Sequence, residues 1–184
     1  MAIILSSIIF ELNRDFYHPV SDEHVSALRS LLFGNGVHDL EIDKKYEEIK
    51  KKSPKELLHI VNTPMETTLV GLAYLRIAEI EAAANPLVLA NDEVSSFTSY
   101  LNLRGNSQVQ SYCLKPEGLA VIFKSGSTIY LYDYVTSGLR AVEAMKEAAE
   151  QGIYLGKKAN RINFHDGNFR TMPLKNWEVS KLKI

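Results

Sequence analysis

The run Gly118-Leu119-Ala120-Val121-Ile122-Phe123, then Ser125-Gly126-Ser127, then Tyr130-Leu131-Tyr132-Asp133-Tyr134-Val135 decides the fold of the second half of this chain. Two stretches of β-branched and aromatic residues flank a short Ser/Gly turn, which reads as a hairpin. Upstream, Gln108 to Leu114 has the same character, and Lys115-Pro116-Glu117-Gly118 supplies a second tight turn. Strands over Gln108 to Leu114, Leu119 to Lys124 and Thr128 to Val135 therefore form an antiparallel meander. Ser137 then opens a helix in which Leu139, Val142, Met145 and Ala149 recur at helical spacing. Arg140, Glu143, Lys146, Glu147 and Glu150 fall largely on its outer side, and Gly152 ends it. Beyond Arg161 the chain reads as polar and irregular.

The first half reads as helical. Ser53-Pro54-Lys55-Glu56 and Thr63-Pro64-Met65-Glu66 share one start signal. The hydroxyl accepts a free amide hydrogen, proline occupies a position whose donor has no partner, and Glu reaches back to the cap amide. The second start leads through Leu69, Leu72, Ala73, Ile77 and Ile80 to Asn85-Pro86, where helical angles are disfavoured. Earlier helices are expected from Ser21 to Gly34 and from Asp43 to Lys52, with Tyr46 and Ile49 inward. Leu57, Leu58 and Val61 mark a short helix between the two capped starts. Ile4, Leu5, Ile8, Ile9 and Leu12 suit a helix, although a β-branched run also suits a buried strand. The link from Leu87 to Asn106 is expected to be part helical around Val94 to Leu101. The fold class is thus α+β: a mainly helical domain over 1–103, a three-stranded antiparallel sheet packed by one helix over 104–164, and a basic irregular tail over 165–184.

Composition narrows the function. With 46% hydrophobic and 23% charged residues, 184 residues suffice for one large or two small globular domains. One cysteine, Cys113, rules out an internal disulfide and any zinc motif built on paired cysteines. The apolar opening, Met1 to Phe10, lacks the basic leader of a signal peptide, so a cytoplasmic protein without a membrane span is expected. The net charge of −1 hides an asymmetry. Up to Leu103 there are 9 basic and 15 acidic residues; from Arg104 onward there are 12 and 7. Such a gradient points either to a surface facing nucleic acid or to a basic tail folded on the acidic half.

In the second half Leu119, Val121 and Phe123, then Gly126, then Tyr130, Tyr132 and Val135, and finally Gly152, Tyr154 and Arg161 follow one another in a recognisable order. That order resembles the KTSC domain, a small module found at the carboxy end of some lysyl-tRNA synthetases, over residues of about 107–164. The turn before Tyr130 is one residue longer than in the family, Thr136 replaces its usual proline, and the helical stretch is about two residues longer. The resemblance implies a small α+β binding module, sometimes proposed to touch nucleic acid, and implies no catalytic residues.

Tyr130, Tyr132 and Tyr134 alternate, so in a strand they share one face. With the apolar face under the helix, they would line an open platform able to stack bases or grip a peptide; the competing reading packs them in a core or a subunit interface. Lys157, Lys158 and Arg161, with Arg170, Lys175, Lys181 and Lys183, are candidate phosphate contacts. Cys113 beside His165-Asp166 would suit thiol catalysis, but a cysteine within an apolar strand is normally buried and inert. His18, His24, His38 and His59 lack metal-ligand spacing, and neither a phosphate-binding glycine loop nor a dinucleotide fingerprint is present. No cofactor or metal is expected. The favoured function is a non-catalytic binding or adaptor protein that contacts nucleic acid or a protein partner. The alternatives are an assembly protein of phage or mobile-element type, forming homo-oligomers through the tyrosine face, and a nucleic-acid-processing enzyme with unassigned residues.

Overall fold

The computed structural model describes residues 2–34, 39–89, 96–124, 126–164 and 168–173. The opening segment is a helix, α1 (Ala2–Arg14), followed by α2 (Asp22–Phe33), α3 (Leu40–Lys50), α4 (Pro54–Asn62) and α5 (Thr67–Ala83). Each of the middle three has a side-chain cap: Ser21 accepts from the His24 amide, Asp39 from those of Glu41 and Ile42, and Ser53 from that of Glu56. Around Ser53 the full capping box forms, because the Glu56 carboxylate also accepts from the Ser53 amide.

The second start differs from its expectation. Thr63 is the C-cap of α4, and α5 begins four residues later, after Glu66, with no side-chain cap. The Glu66 carboxylate lies 3.1 Å from Lys45 Nζ on α3 instead of turning back to Thr63. The Glu66 carboxylate is thus turned toward α3, and the local motif does not form.

The sheet has five antiparallel strands in sequential order, where three were expected. The expected meander is β2 (Val109–Lys115), β3 (Gly118–Phe123) and β4 (Thr128–Asp133). To one edge is added β1 (Thr98–Ser99), in the link expected to be part helical; Val94 itself lies outside the described residues. To the other is added β5 (Arg170–Pro173), inside the segment read as an irregular tail. Arg170 explains that addition. Its guanidinium donates to the buried Asp133 carboxylate and, at 2.7 Å, to the Leu87 carbonyl, which fastens β5 against β4. Burial pushes the Asp133 carboxyl up, but the Leu87 amide, Arg170 and Thr136 outweigh it and hold it below the usual carboxylate range.

A helical turn, α6 (Tyr134–Ser137), leads into α7 (Leu139–Glu150), and a further helix, α8 (Leu155–Phe164), follows. Leu155, Ala159 and Ile162 are buried along one face of α8, so two helices rather than one cover the sheet. One apolar cluster runs from Leu5 and Leu12 on α1 through Leu72, Tyr74 and Ile77 on α5. It continues to Leu139, Val142 and Met145 on α7 and to Leu119, Val121 and Tyr132 on the sheet. The opposite sheet face is also covered: Cys113, Ala120, Ile122, Ile129 and Leu131 pack with Leu87 and Leu89 of the link.

Where the halves meet, buried polar groups are paired alongside the apolar cluster. Gly138 stands at the α7 N-cap with φ +79°, and a Cβ there would lie 2.7 Å from the His18 carbonyl oxygen. A glycine has no side chain with which to cap, so Glu81 on α5 does it from a distance. Its two carboxylate oxygens accept from the amides of Leu139 and Val20, each at 2.7 Å. Arg140, 1% exposed, donates to the carbonyls of Leu12, Asp15 and His18 at the carboxy end of α1. It therefore supplies donors to carbonyls at and just beyond the end of α1 and meets the negative end of the helix dipole. No helix among the described residues is long and apolar enough to cross a membrane.

Candidate functional site

The three tyrosines of the expected platform do not form one. Tyr132 is 0% exposed and Tyr134 2%. The tyrosine side of the sheet, with Leu119 and Val121 paired opposite Tyr132 and Tyr130, faces the helices, and the link segment covers the other side. The expected orientation is reversed for a packing reason. Ala120, Ile122, Ile129 and Leu131 make a flatter face that extended chain can cover, while the large rings fill the deeper space beneath α7 and α8. The Tyr132 hydroxyl donates to Asn163 on α8 at 3.0 Å. Tyr134 lies beyond the strand, in α6, and donates to Glu143 at 2.7 Å. Tyr130 is half-buried between Phe123 and Phe169, with ring centroids at 5.1 and 5.4 Å. Tyr132 and Tyr134 are thus closed to a base, and Tyr130 is engaged by two neighbouring rings.

The basic candidates divide. Lys157 and Arg161, one turn apart on α8, line a cavity of about 530 Å³. Lys158 faces away from it and is half-buried, and burial lowers its pKa. Arg170 is committed to Asp133, as described above. Lys175, Lys181 and Lys183 lie outside the described residues, as do His165 and Asp166. Cys113 is buried in β2, with Sγ 3.2 Å from the Ser96 hydroxyl. His38 also lies outside the described residues.

The cavity sits where the β1–β2 loop meets the start of α8. Gly156 allows the approach: a Cβ there would fall 2.8 Å from the Ser107 hydroxyl. The loop folds on itself, with the Asn102 side chain accepting from the Ser107 amide and the Ser107 hydroxyl from the Val109 amide. Tyr100 is buried beside it, and its hydroxyl accepts from the Leu155 amide at the head of α8.

Two residues that the sequence reading did not assign to the site complete it. Arg104 lies in the cavity wall with its guanidinium 4.2 Å from the centre of the Tyr154 ring. Tyr154 is 42% exposed, and Lys157 Nζ lies 6.0 Å from its centroid. The Tyr154 backbone sits at φ +63°, in the left-handed region that a bulky side chain avoids. Strain of this kind is of order 1 kcal/mol and persists where surrounding structure enforces it, often at binding sites.

Comparison with known protein families, characterised proteins and solved structures finds no match. The chemistry of the site therefore rests on its own residues. Arg104, Lys157 and Arg161 bring three positive charges to one concave surface, and no carboxylate lines it among the described residues. Arg161 donates to the Tyr17 hydroxyl at 3.2 Å, a neutral partner. Moreover, the first turn of α8 holds no acidic residue, so Lys157 stands at the positive end of the helix dipole. An anion entering the cavity meets three cations and a helix end of matching sign.

Proposed function

We propose that this protein is a non-catalytic binding protein whose carboxy-terminal half contacts nucleic acid through the Arg104–Lys157–Arg161 cavity. The observation that carries this reading is the convergence of three cations on a concave surface that no carboxylate lines among the described residues. Several cations elsewhere are paired with carboxylates: Lys45 with Glu66, Lys51 with Glu48, Lys52 with Glu56, Lys146 with Glu143. The KTSC resemblance supports the same reading, since Tyr154 and Arg161 are among its closing elements. Under this proposal residues 107–164 act as a KTSC-like module, and the helical half stabilises it through the shared core. The buried tyrosines take no part in binding or in assembly.

The test is fluorescence anisotropy with a labelled oligonucleotide at about 50 and about 200 mM salt, an interval over which phosphate contacts lose much of their affinity. Salt-sensitive binding that disappears in Lys157→Glu/Arg161→Glu is the expected result. Absence of binding by the wild type at the lower salt, or binding that survives the double charge reversal, overturns the reading.

A further inference from the structure

The cavity holds more than phosphate-binding charge. We infer that it receives an unpaired nucleotide of a single strand, with the base against the Arg104–Tyr154 stack and the backbone along Lys157 and Arg161; this rests on the nucleic-acid reading above and specifies its ligand.

Shape argues first. A volume of about 530 Å³ lies within the range of sites that enclose a small organic group. A duplex is read by an element that protrudes into a groove. A recess cannot enter one, but it can admit a base that has left its stack.

The walls argue second. Pure phosphate binding requires cations and amides, not an exposed ring. Here Tyr154 stands in the recess, and the guanidinium of Arg104 lies over its ring, 4.2 Å from the centroid. Aromatic rings and guanidinium planes are the two protein surfaces on which unstacked bases lie. The carboxamides of Asn106, Gln108 and Asn160 line the same recess and offer donors and acceptors to base edges.

The backbone argues third. A tyrosine at φ +63° costs conformational energy that glycine or asparagine would not incur. The hydroxyl of Tyr154 makes no hydrogen bond among the described residues that would account for keeping a ring there. The ring's contacts within the protein are with Arg104 and Lys157, two of the cavity's own cations, so the strained position holds the ring at the site together with them.

The experiment compares four probes on the wild type: a labelled single-stranded decamer, a hairpin duplex of the same length, inorganic polyphosphate as competitor and a free nucleoside monophosphate as competitor. Expected are single-strand affinity at least tenfold above duplex affinity and a log–log salt slope of about −1.4 from the two cations along the backbone. Polyphosphate and monophosphate should compete only weakly. Tyr154→Gly should lower single-strand affinity about tenfold, the loss of one stacked base. It should leave the salt slope alone and keep or raise Tm, since the strained backbone relaxes. Tyr154→Phe should bind like the wild type. Equal affinity for single strand and duplex, unaltered by Tyr154→Gly, overturns this inference while leaving nucleic-acid binding in place. Tight competition by the free nucleotide also overturns it, in favour of a mononucleotide pocket. No binding of either oligonucleotide removes this inference together with the reading it rests on.

Discussion

Arg140 and the trio Arg104, Lys157 and Arg161 carry the same charge in opposite circumstances. Arg140 is buried where the halves meet, has donated to three backbone carbonyls, and packs against the rings of Phe16 and Tyr74. The trio lines an open cavity with no carboxylate in its walls among the described residues. The first arrangement uses charge to hold helices in place; nothing of it is left for a ligand. The second leaves attraction unspent. The difference teaches that a cation's role is decided by its acceptors, and that a tally of charge along the chain cannot separate the two cases.

The sharpest way to break this comparison is Arg140→Met. The carbonyls of Leu12, Asp15 and His18 would lose their donor, and Glu81 would lose its nearby positive charge. Breaking a buried charged arrangement by removing one member costs about 3–5 kcal/mol. In a chain of this size that lowers Tm by roughly 10 °C. A thermal melt shifted by less than about 3 °C would show that the seam is held by packing alone.

Glu81 gives the next effect, with a pH signature. Burial pushes its carboxyl up to about 7, against the downward pull of the Val20 and Leu139 amides and of Arg140. Unfolded, it titrates near 4.3. Between those values the native state keeps a proton that the unfolded state has released. Its stabilising contribution is therefore full below about pH 4.3 and is lost as pH rises through about 7. Glu81→Gln cannot titrate. It should cost about 2 kcal/mol at pH 5, where one amide faces the carboxamide nitrogen; the wild type loses roughly 2–3 kcal/mol between pH 5 and pH 8 as Glu81 ionises, so the gap should close or change sign by pH 8. Urea melts at both pH values measure this, and a gap that stays constant or widens contradicts it. Asp133 works in the other sense: its lowered pKa contributes stability above the ordinary carboxylate range that is lost as the pH falls.

A smaller effect, about 1 kcal/mol, is expected for Ser53→Ala, which removes the capping hydroxyl of α4. Thr63→Ala should cost less, since Thr63 caps no helix start. A chemical denaturation series that gave both variants equal cost would contradict the difference between the two sites. This pair also marks what the sequence made legible. Local signals with local partners came through: the Ser53 box, the helix ending before Asn85-Pro86, the hairpins around Pro116 and Gly126. Signals that a distant residue overrides did not. Lys45 takes the Glu66 carboxylate that the Thr63 motif needs, and Arg170 reaches Asp133 to draw a polar segment into the sheet. Strict alternation grouped Tyr130 with Tyr132 on one face, but which face meets the helices depends on how the link from Leu87 wraps the sheet. At the cavity, Lys157 and Arg161 were visible as charges. The apolar spacing of Leu155, Ala159 and Ile162 is itself a local signal for α8. Arg104 and the backbone conformation of Tyr154 depend on a loop meeting a helix start, which no local pattern announces.

The smallest expected effect on stability is the most telling about the cavity. Lys157 lies in the first turn of α8, where the helix dipole is positive and a cation is unfavourable. A side chain placed for stability alone would be acidic there. Lys157→Glu should accordingly leave stability unchanged or raise it by about 0.3–1 kcal/mol, while removing one of the three groove charges and adding its opposite. If oligonucleotide affinity falls by an order of magnitude or more as Tm holds or rises, Lys157 is retained for a ligand at a cost to the fold, the reverse of Arg140. If Tm falls, Lys157 is a structural cation, and the contrast between seam and cavity is one of exposure only. Differential scanning calorimetry and anisotropy on the same preparation separate the two outcomes. The sign of the change in Tm carries the result, because both effects depend on one side chain and only one of them requires a partner.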